Sequence, residues 1–237
     1  MAYWILKVVL SPVFFLLWRV RVEGRQHIPV HGPAVLAANH QSFCDSFFLP
    51  LVLRRRVTYV AKAEYFDSWK TAWFFRAAGQ IPMSRSGGDA SQRALDTATE
   101  VLNAGQLLGI YPEGTRAPDP RLHKGHTGVA RLSLRCDVPI VPVGIVGTRA
   151  VQPPGSKVLR PFHSVTIRFG PPVTYLHAGE AITTGRCGEP VGAGPEPVER
   201  EPDQAELRSL TDALMKEIAG LSGQEYVDRY ASRAQVR

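Results

Sequence analysis

From Ala34 onward, short apolar runs rich in β-branched residues alternate with polar stretches of helical period, the pattern of an α/β domain. Residues 34–38, 57–61, 79–83, 107–111, 140–145 and 164–169 read as buried strands. Between the third and fourth, residues 89–104 place Ala94, Leu95, Ala98, Val101 and Leu102 on one face of a helix that Gly105 stops. A second helix starts at Asp203, with Glu206 completing a capping box, and carries Leu207, Leu210, Leu214, Ile218 and Leu221 at helical spacing up to Gly220 or Gly223. This helix is expected to dock back on the core. Residues 178–202 collect Gly, Pro and Glu, a composition that buries little and reads as a mobile loop.

The first apolar run is different. Residues 3–18 form a mostly apolar run interrupted by Lys7 and Pro12; as a helix they span about 24 Å, short of the ~30 Å hydrocarbon core of a bilayer. No basic residue precedes the run and no small-x-small site follows it, so it does not read as a signal peptide. Proline is expected to break it into two helical pieces that sink into one leaflet, with Arg19, Arg21 and Arg25 at headgroup level. The competing reading is a helix packed on the core. The expected organisation is therefore an N-terminal membrane segment at 1–22, one α/β domain at 23–177 with a central sheet flanked by helices, the loop at 178–202 and a C-terminal amphipathic helix within 203–237.

Composition narrows the function classes. The 237 residues are 44% hydrophobic and 21% charged, enough apolar mass for one core and incompatible with a disordered or coiled-coil chain. Cys44, Cys136 and Cys187 are far apart, which excludes a disulfide framework and a cysteine zinc site. Residues 1–180 hold 21 basic and 11 acidic side chains, net +10, while residues 181–237 are net −3. The main body is a cationic surface suited to an anionic membrane or a phosphorylated substrate. No nucleic-acid motif with interleaved aromatics accompanies the charge, so no nucleic-acid partner is expected.

Candidate chemistry collects after predicted strands, where open α/β sheets place their sites. Asn39-His40-Gln41-Ser42-Phe43-Cys44-Asp45 follows the first strand. Positions five apart diverge on a regular helix, so His40 belongs in a turn and Asp45 one turn inside the next helix, where its carboxylate accepts from one imidazole nitrogen and leaves the other as a base. Tyr111-Pro112-Glu113-Gly114-Thr115-Arg116 follows another strand; glycine admits close backbone approach and arginine offers a fork matched to phosphate. Arg85 stands after a third. His123, Lys124 and His126 lack a carboxylate or thiolate at ligand spacing, and no metal is expected. Cys44 reads as a buried hydrophobe.

Four ordered blocks, N-H-Q-S-F-C-D at 39–45, G-Q-I-P-M-S-R at 79–85, Y-P-E-G-T-R at 111–116 and V-P-I-V-P-V at 138–143, resemble those of the 1-acyl-sn-glycerol-3-phosphate acyltransferase family. The resemblance implies that His40 and Asp45 are catalytic, that Arg85, Glu113, Gly114, Thr115 and Arg116 bind the acceptor's phosphate or glycerol, and that Lys62 assists substrate binding. For Glu113 two roles stay open: stiffening the loop or bonding the glycerol. The implied reaction moves an acyl group from acyl-CoA or acyl-carrier protein to the sn-2 hydroxyl of lysophosphatidic acid without any cofactor, at the cytoplasmic face of the plasma membrane. The competing readings are the same chemistry on glycerol 3-phosphate, another lysophospholipid or a glycolipid, a phospholipid transacylase, and a basic membrane-binding module without catalysis. Ser84, Tyr111 and Ala117 stand where an acidic residue, Phe and Ser are common in the family. Backbone N–H groups at the start of the helix after His40 are the expected oxyanion donors.

Overall fold

The computed structural model describes residues 2–62, 66–77, 80–83, 90–156, 158–175, 181–183 and 202–232. In chain order its elements are α1 (Ala2–Leu17), β1 (Arg19–Glu23), β2 (Ala34–Ala38), α2 (Asp45–Val52), β3 (Val57–Lys62), α3 (Trp69–Ala77), β4 (Ile81–Met83), α4 (Ala90–Asn103), β5 (Leu107–Ile110) and β6 (Leu122–His123). They continue as α5 (Gly128–Cys136), β7 (Ile140–Val146), α6 (Thr148–Val151), β8 (Ser164–Phe169), β9 (Val173–Tyr175), β10 (Ala181–Thr183), α7 (Gln204–Ser222) and β11 (Tyr226–Val227).

The main sheet runs β1-β8-β7-β2-β5-β3-β4. The five strands from β7 to β4 are mutually parallel, and β8 and β1 run the other way. A parallel sheet is covered on both faces, so its strands must be apolar throughout rather than alternating. All five residues of β2 are buried accordingly. Val35 and Ala37 face a core closed by α4, α5 and α7, while Ala34, Leu36 and Ala38 face a second core closed by α1 and α2. The β6–β11 pair stands apart from this sheet.

The mixed α/β architecture and the strands at 34–38, 57–61, 107–111, 140–145 and 164–169 agree with the sequence reading to within a residue at each end. β4 begins at Ile81, and residues 78 and 79 lie outside the described residues. Asp203 caps α7 by accepting the N–H of Glu206 at 2.7 Å, and Gly223, in the left-handed region at φ 71°, ends it; Gly220 lies inside the helix. Within 178–202 only β10 and Pro202 are described, and β10 pairs with β9.

The amino terminus departs from expectation. Pro12 does not split the apolar run: α1 is one helix through Leu17. The single backbone bond that Pro12 cannot donate is the one to the carbonyl of Val8, an exposed residue, so water can satisfy that group. Residues 19–23 form β1, paired in parallel with β8, rather than a continuation of the helix. Lys7, which interrupts the apolar pattern, points its ammonium at the carboxyl end of α2 and donates to the carbonyls of Pro50, at 3.0 Å, and Leu53. It thereby caps a helix terminus with a cation. Phe14 packs edge-on against Phe48 of α2 at 5.2 Å. Among the described residues no helix is long and apolar enough to cross a membrane.

Candidate active site

β2 delivers its carboxyl end to Asn39, which is fully buried and replaces a strand pairing with a side chain: its amide donates to Ile145 O at 2.9 Å and accepts from Ile145 N at 2.7 Å. The last ladder bonds of β7 are thus satisfied while the chain turns out of the sheet. His40 follows. Its Nδ1 lies 2.9 Å from Asp45 Oδ2, and the same oxygen accepts the backbone N–H groups of Gln41 and Ser42, each at 2.8 Å. Asp45 is fully buried at the first turn of α2. A carboxylate fixed by three donors holds the imidazole with Nδ1–H toward it, which leaves Nε2 as the nitrogen available to substrate.

This geometry bears on the oxyanion donors expected at the start of the helix after His40, which begins at Asp45. The N–H groups of Gln41 and Ser42, the first donors after His40, are committed to Asp45 and are not free for an oxyanion. Cys44 is fully buried and its thiol is pushed up to about 12, first by burial and then by the neighbouring Asp45, so it is no nucleophile.

The imidazole is held on its flat side as well. Tyr111 stacks on His40 with ring centroids 3.9 Å apart and planes 10° apart, and Tyr59 stacks behind Tyr111 at 5.6 Å. The hydroxyls of Tyr111 and Ser46 are 3.0 Å apart, and burial holds the Tyr111 phenol well above its ordinary range. Tyr59 lies flat over Gly109, where a Cβ would come within 2.4 Å of its ring. Glycine in the middle of β5 is therefore a packing requirement.

Glu113 settles the choice left open by the sequence. It is 1% exposed, and its two oxygens accept the backbone N–H groups of His40 at 2.9 Å and His123 at 3.0 Å. It stiffens two loops and does not face the cavity as a phosphate or glycerol ligand. Burial pushes it up to about 7, against the pull of those two hydrogen bonds. The loop also holds His40 from the other side, because Ala117 N donates to His40 O at 2.7 Å. Arg149 reinforces it by donating to the carbonyls of Ala117, Pro118 and Asp119.

Gly114, Thr115 and Arg116 line one cavity of about 1110 Å³ together with His40 and Tyr111. The same cavity reaches the apolar side chains Leu10, Phe14, Phe47, Leu51, Leu95 and Leu132. Its charged lining is Lys7, Arg116 and Arg131, and among the described residues no carboxylate lines it. A site with an imidazole, guanidinium groups and a long apolar reach suits an amphiphile with an anionic head. Lys62 ends β3 opposite Met83, with its side chain outside what is described, and Arg85 lies outside the described residues. His123 is buried and bonded to Asp119 at 3.1 Å, whereas His126 lines the cavity. Among the described residues no group of three or more His, Cys, Asp or Glu is placed to hold a metal.

Sequence reading placed Asn39 and Tyr111 in its blocks without a role and missed Arg131 and Tyr59 as parts of the site. Tyr111 had a visible signal, since it ends a strand two residues before Glu113. Arg131 had none, because the helix carrying it was not foreseen.

The family described as Acyltransferase matches residues 19–146. A chloroplastic 1-acyl-sn-glycerol-3-phosphate acyltransferase of Arabidopsis thaliana is 27% identical over 172 residues, 72% of this chain and 48% of its own length. The human 1-acyl-sn-glycerol-3-phosphate acyltransferase alpha is 32% identical over 126 residues, 53% of this chain and 44% of its own. The chain thus spans about half the length of the curated relatives it matches. The crystal structure of the 1-acyl-sn-glycerophosphate acyltransferase PlsC from Thermotoga maritima superposes with a TM-score of 0.63 at 25% identity, covering 89% of this chain and 76% of that one. With its sheet, its histidine–aspartate pair and its E-G-T-R loop in place, the chain belongs to the acyltransferase family.

Proposed function

We propose that this protein transfers a fatty acyl group from an acyl-CoA or acyl-carrier-protein thioester to the sn-2 hydroxyl of 1-acyl-sn-glycerol 3-phosphate, forming phosphatidic acid. The observation that carries the reading is that His40, already oriented by Asp45, and the Arg116 loop open into the same cavity. Relatives named for this acceptor support it.

The proposed steps use these side chains in turn. Arg116, whose side chain makes no hydrogen bond or ion pair among the described residues, receives the acceptor's phosphate as a forked donor. The glycerol hydroxyl is then read as reaching the Nε2 edge of His40 within the same cavity. Nε2 takes the hydroxyl proton as the oxygen attacks the thioester carbonyl, and Asp45 stabilises the imidazolium. The tetrahedral intermediate collapses, the C–S bond breaks, and the imidazolium returns its proton to the departing sulfur. The ester is left on the acceptor, and no side chain is acylated.

Acceptor and product are lipids, so the enzyme is read as resting on the cytoplasmic leaflet. Two exposed apolar surfaces support this reading: the outer face of α1, with Ile5, Val8, Val9 and Leu16, and the tryptophans Trp69 and Trp73 of α3. The test is to offer the purified protein a panel of thioesters and lysolipids and to identify products by mass. Phosphatidic acid from lysophosphatidic acid supports the proposal; acylation of only uncharged or phosphate-free acceptors overturns it.

A further inference from the structure

The chain after α7 doubles back beneath the E-G-T-R loop. Gln224 donates to Pro120 O at 2.6 Å and accepts from Asn39 Nδ2 at 2.7 Å, so it touches the residue before His40. Leu122 N donates to Glu225 O and Lys124 N to Arg229 O. Between these bonds β11 pairs with β6, Tyr226 opposite Leu122 and Val227 opposite His123. Lys124 and Asp228 form an ion pair at 2.8 Å.

This segment ends on an aromatic contact at the cavity. Tyr230 stacks on His126, with centroids 4.7 Å and planes 13° apart. Arg208 of α7 donates to the Tyr230 hydroxyl at 3.4 Å, and Lys124 Nζ stands 5.8 Å from the centre of its ring. His126 is in turn fixed to the E-G-T-R loop: its N–H donates to Pro112 O at 2.8 Å, and a Cβ on Gly114 would meet its ring at 2.9 Å. Both rings line the cavity that holds His40 and Arg116.

We propose that His126, held by its stack on Tyr230, is a second ligand of the acceptor's phosphate, so that residues 224–230 complete the acceptor site. The inference rests on the reading of the cavity as a lysophospholipid site. Three features point to it. Glycine at 114 lets the imidazole lie directly on the loop that presents Arg116. The adjoining lining is cationic, with Arg116 and Arg131 and no carboxylate among the described residues. A ring stacked on a tyrosine, in a residue whose backbone is bonded to the E-G-T-R loop, loses little freedom when it binds, which is how a weak donor becomes a useful one.

The experiment measures KM and kcat separately for lysophosphatidic acid in wild type, His126→Ala, Tyr230→Ala, Tyr230→Phe and the double alanine variant, with thermal melts to establish folding. His126→Ala and Tyr230→Ala are expected to raise KM about tenfold or more while kcat changes far less, as loss of a hydrogen bond to a charged group requires. Tyr230→Phe, which keeps the ring, is expected to rescue most of that loss. The double variant is expected to match His126→Ala, because Tyr230 acts through His126. An unchanged KM in folded His126→Ala overturns the proposal, as does a double variant whose KM is the product of the two single effects. Wild type that does not acylate lysophosphatidic acid overturns the underlying functional reading instead, and that result is visible before any variant is made.

Discussion

Glu113 turns its carboxylate onto the backbone N–H of His40, 2.9 Å away, while its second oxygen accepts from His123 at 3.0 Å. One buried side chain therefore sets both the height of the base and the course of the loop that carries Arg116. Glu113→Gln keeps the volume but turns an amide N–H₂ toward one of those N–H groups. It is expected to lower kcat by about tenfold to a hundredfold through misplacement of His40. It also removes a pH effect. With the carboxyl raised from 4.5 to about 7 by burial, its contribution to stability is fully present below pH 4.5 and is lost as pH rises through about 7. Relative to Glu113→Gln, wild type is expected to lose roughly 2–3 kcal/mol between pH 5 and pH 8 in denaturant titrations. A difference that stays flat over that range contradicts the assignment.

The stack of Tyr111 on His40 predicts a split between two substitutions. Tyr111→Phe keeps the ring and loses the hydroxyl with its contact to Ser46, so kcat is expected to stay within about threefold of wild type. Tyr111→Leu removes the flat support and is expected to cost about tenfold or more in kcat. Steady-state kinetics on folded variants check this, and equal effects of Phe and Leu count against the stack.

Lys7 joins α1 to α2 through the carbonyls of Pro50 and Leu53. Burial lowers its ammonium to about 8, so the charge is held at a cost that the two carbonyls only partly offset. Lys7→Met is expected to lower Tm by about 2–4 °C, which corresponds to roughly 1 kcal/mol in a chain of this size. It should also speed proteolysis within α1. An unchanged melt and cleavage pattern show that α1 docks without this cap.

Trp69 and Trp73 stand exposed on α3, and α3 packs beside α1. The double substitution Trp69→Ser, Trp73→Ser is expected to weaken sedimentation of the folded variant with anionic vesicles by about tenfold or more. Vesicle binding equal to wild type removes α3 from the membrane-facing surface.

Much of this site was legible because its chemistry is local. His40 and Asp45 are five residues apart, and Glu113 to Arg116 are contiguous, so strand-end position and residue type were enough to find them. What was hidden depends on pairings between distant segments. Asn39 meets Ile145 and Gln224, and Tyr230 meets His126; a 2-residue strand such as β11 leaves no periodic trace. Pro12 misled because one lost backbone bond on an exposed helical face is a small local defect, while Lys7 before it, bonded to Pro50 and Leu53, and Phe14 and Trp18 after it, packed against Phe48, hold the chain on both sides. Glu113 was ambiguous because only burial separates a ligand from a loop support.

The most direct measurement is acyl transfer to lysophosphatidic acid by purified His40→Ala, with thioester release and phosphatidic acid both followed and vesicle binding as the control for folding. Loss of a positioned general base is expected to lower kcat by about a hundredfold to ten-thousandfold with vesicle binding retained. Turnover at the wild-type rate in the folded variant contradicts His40 as the base.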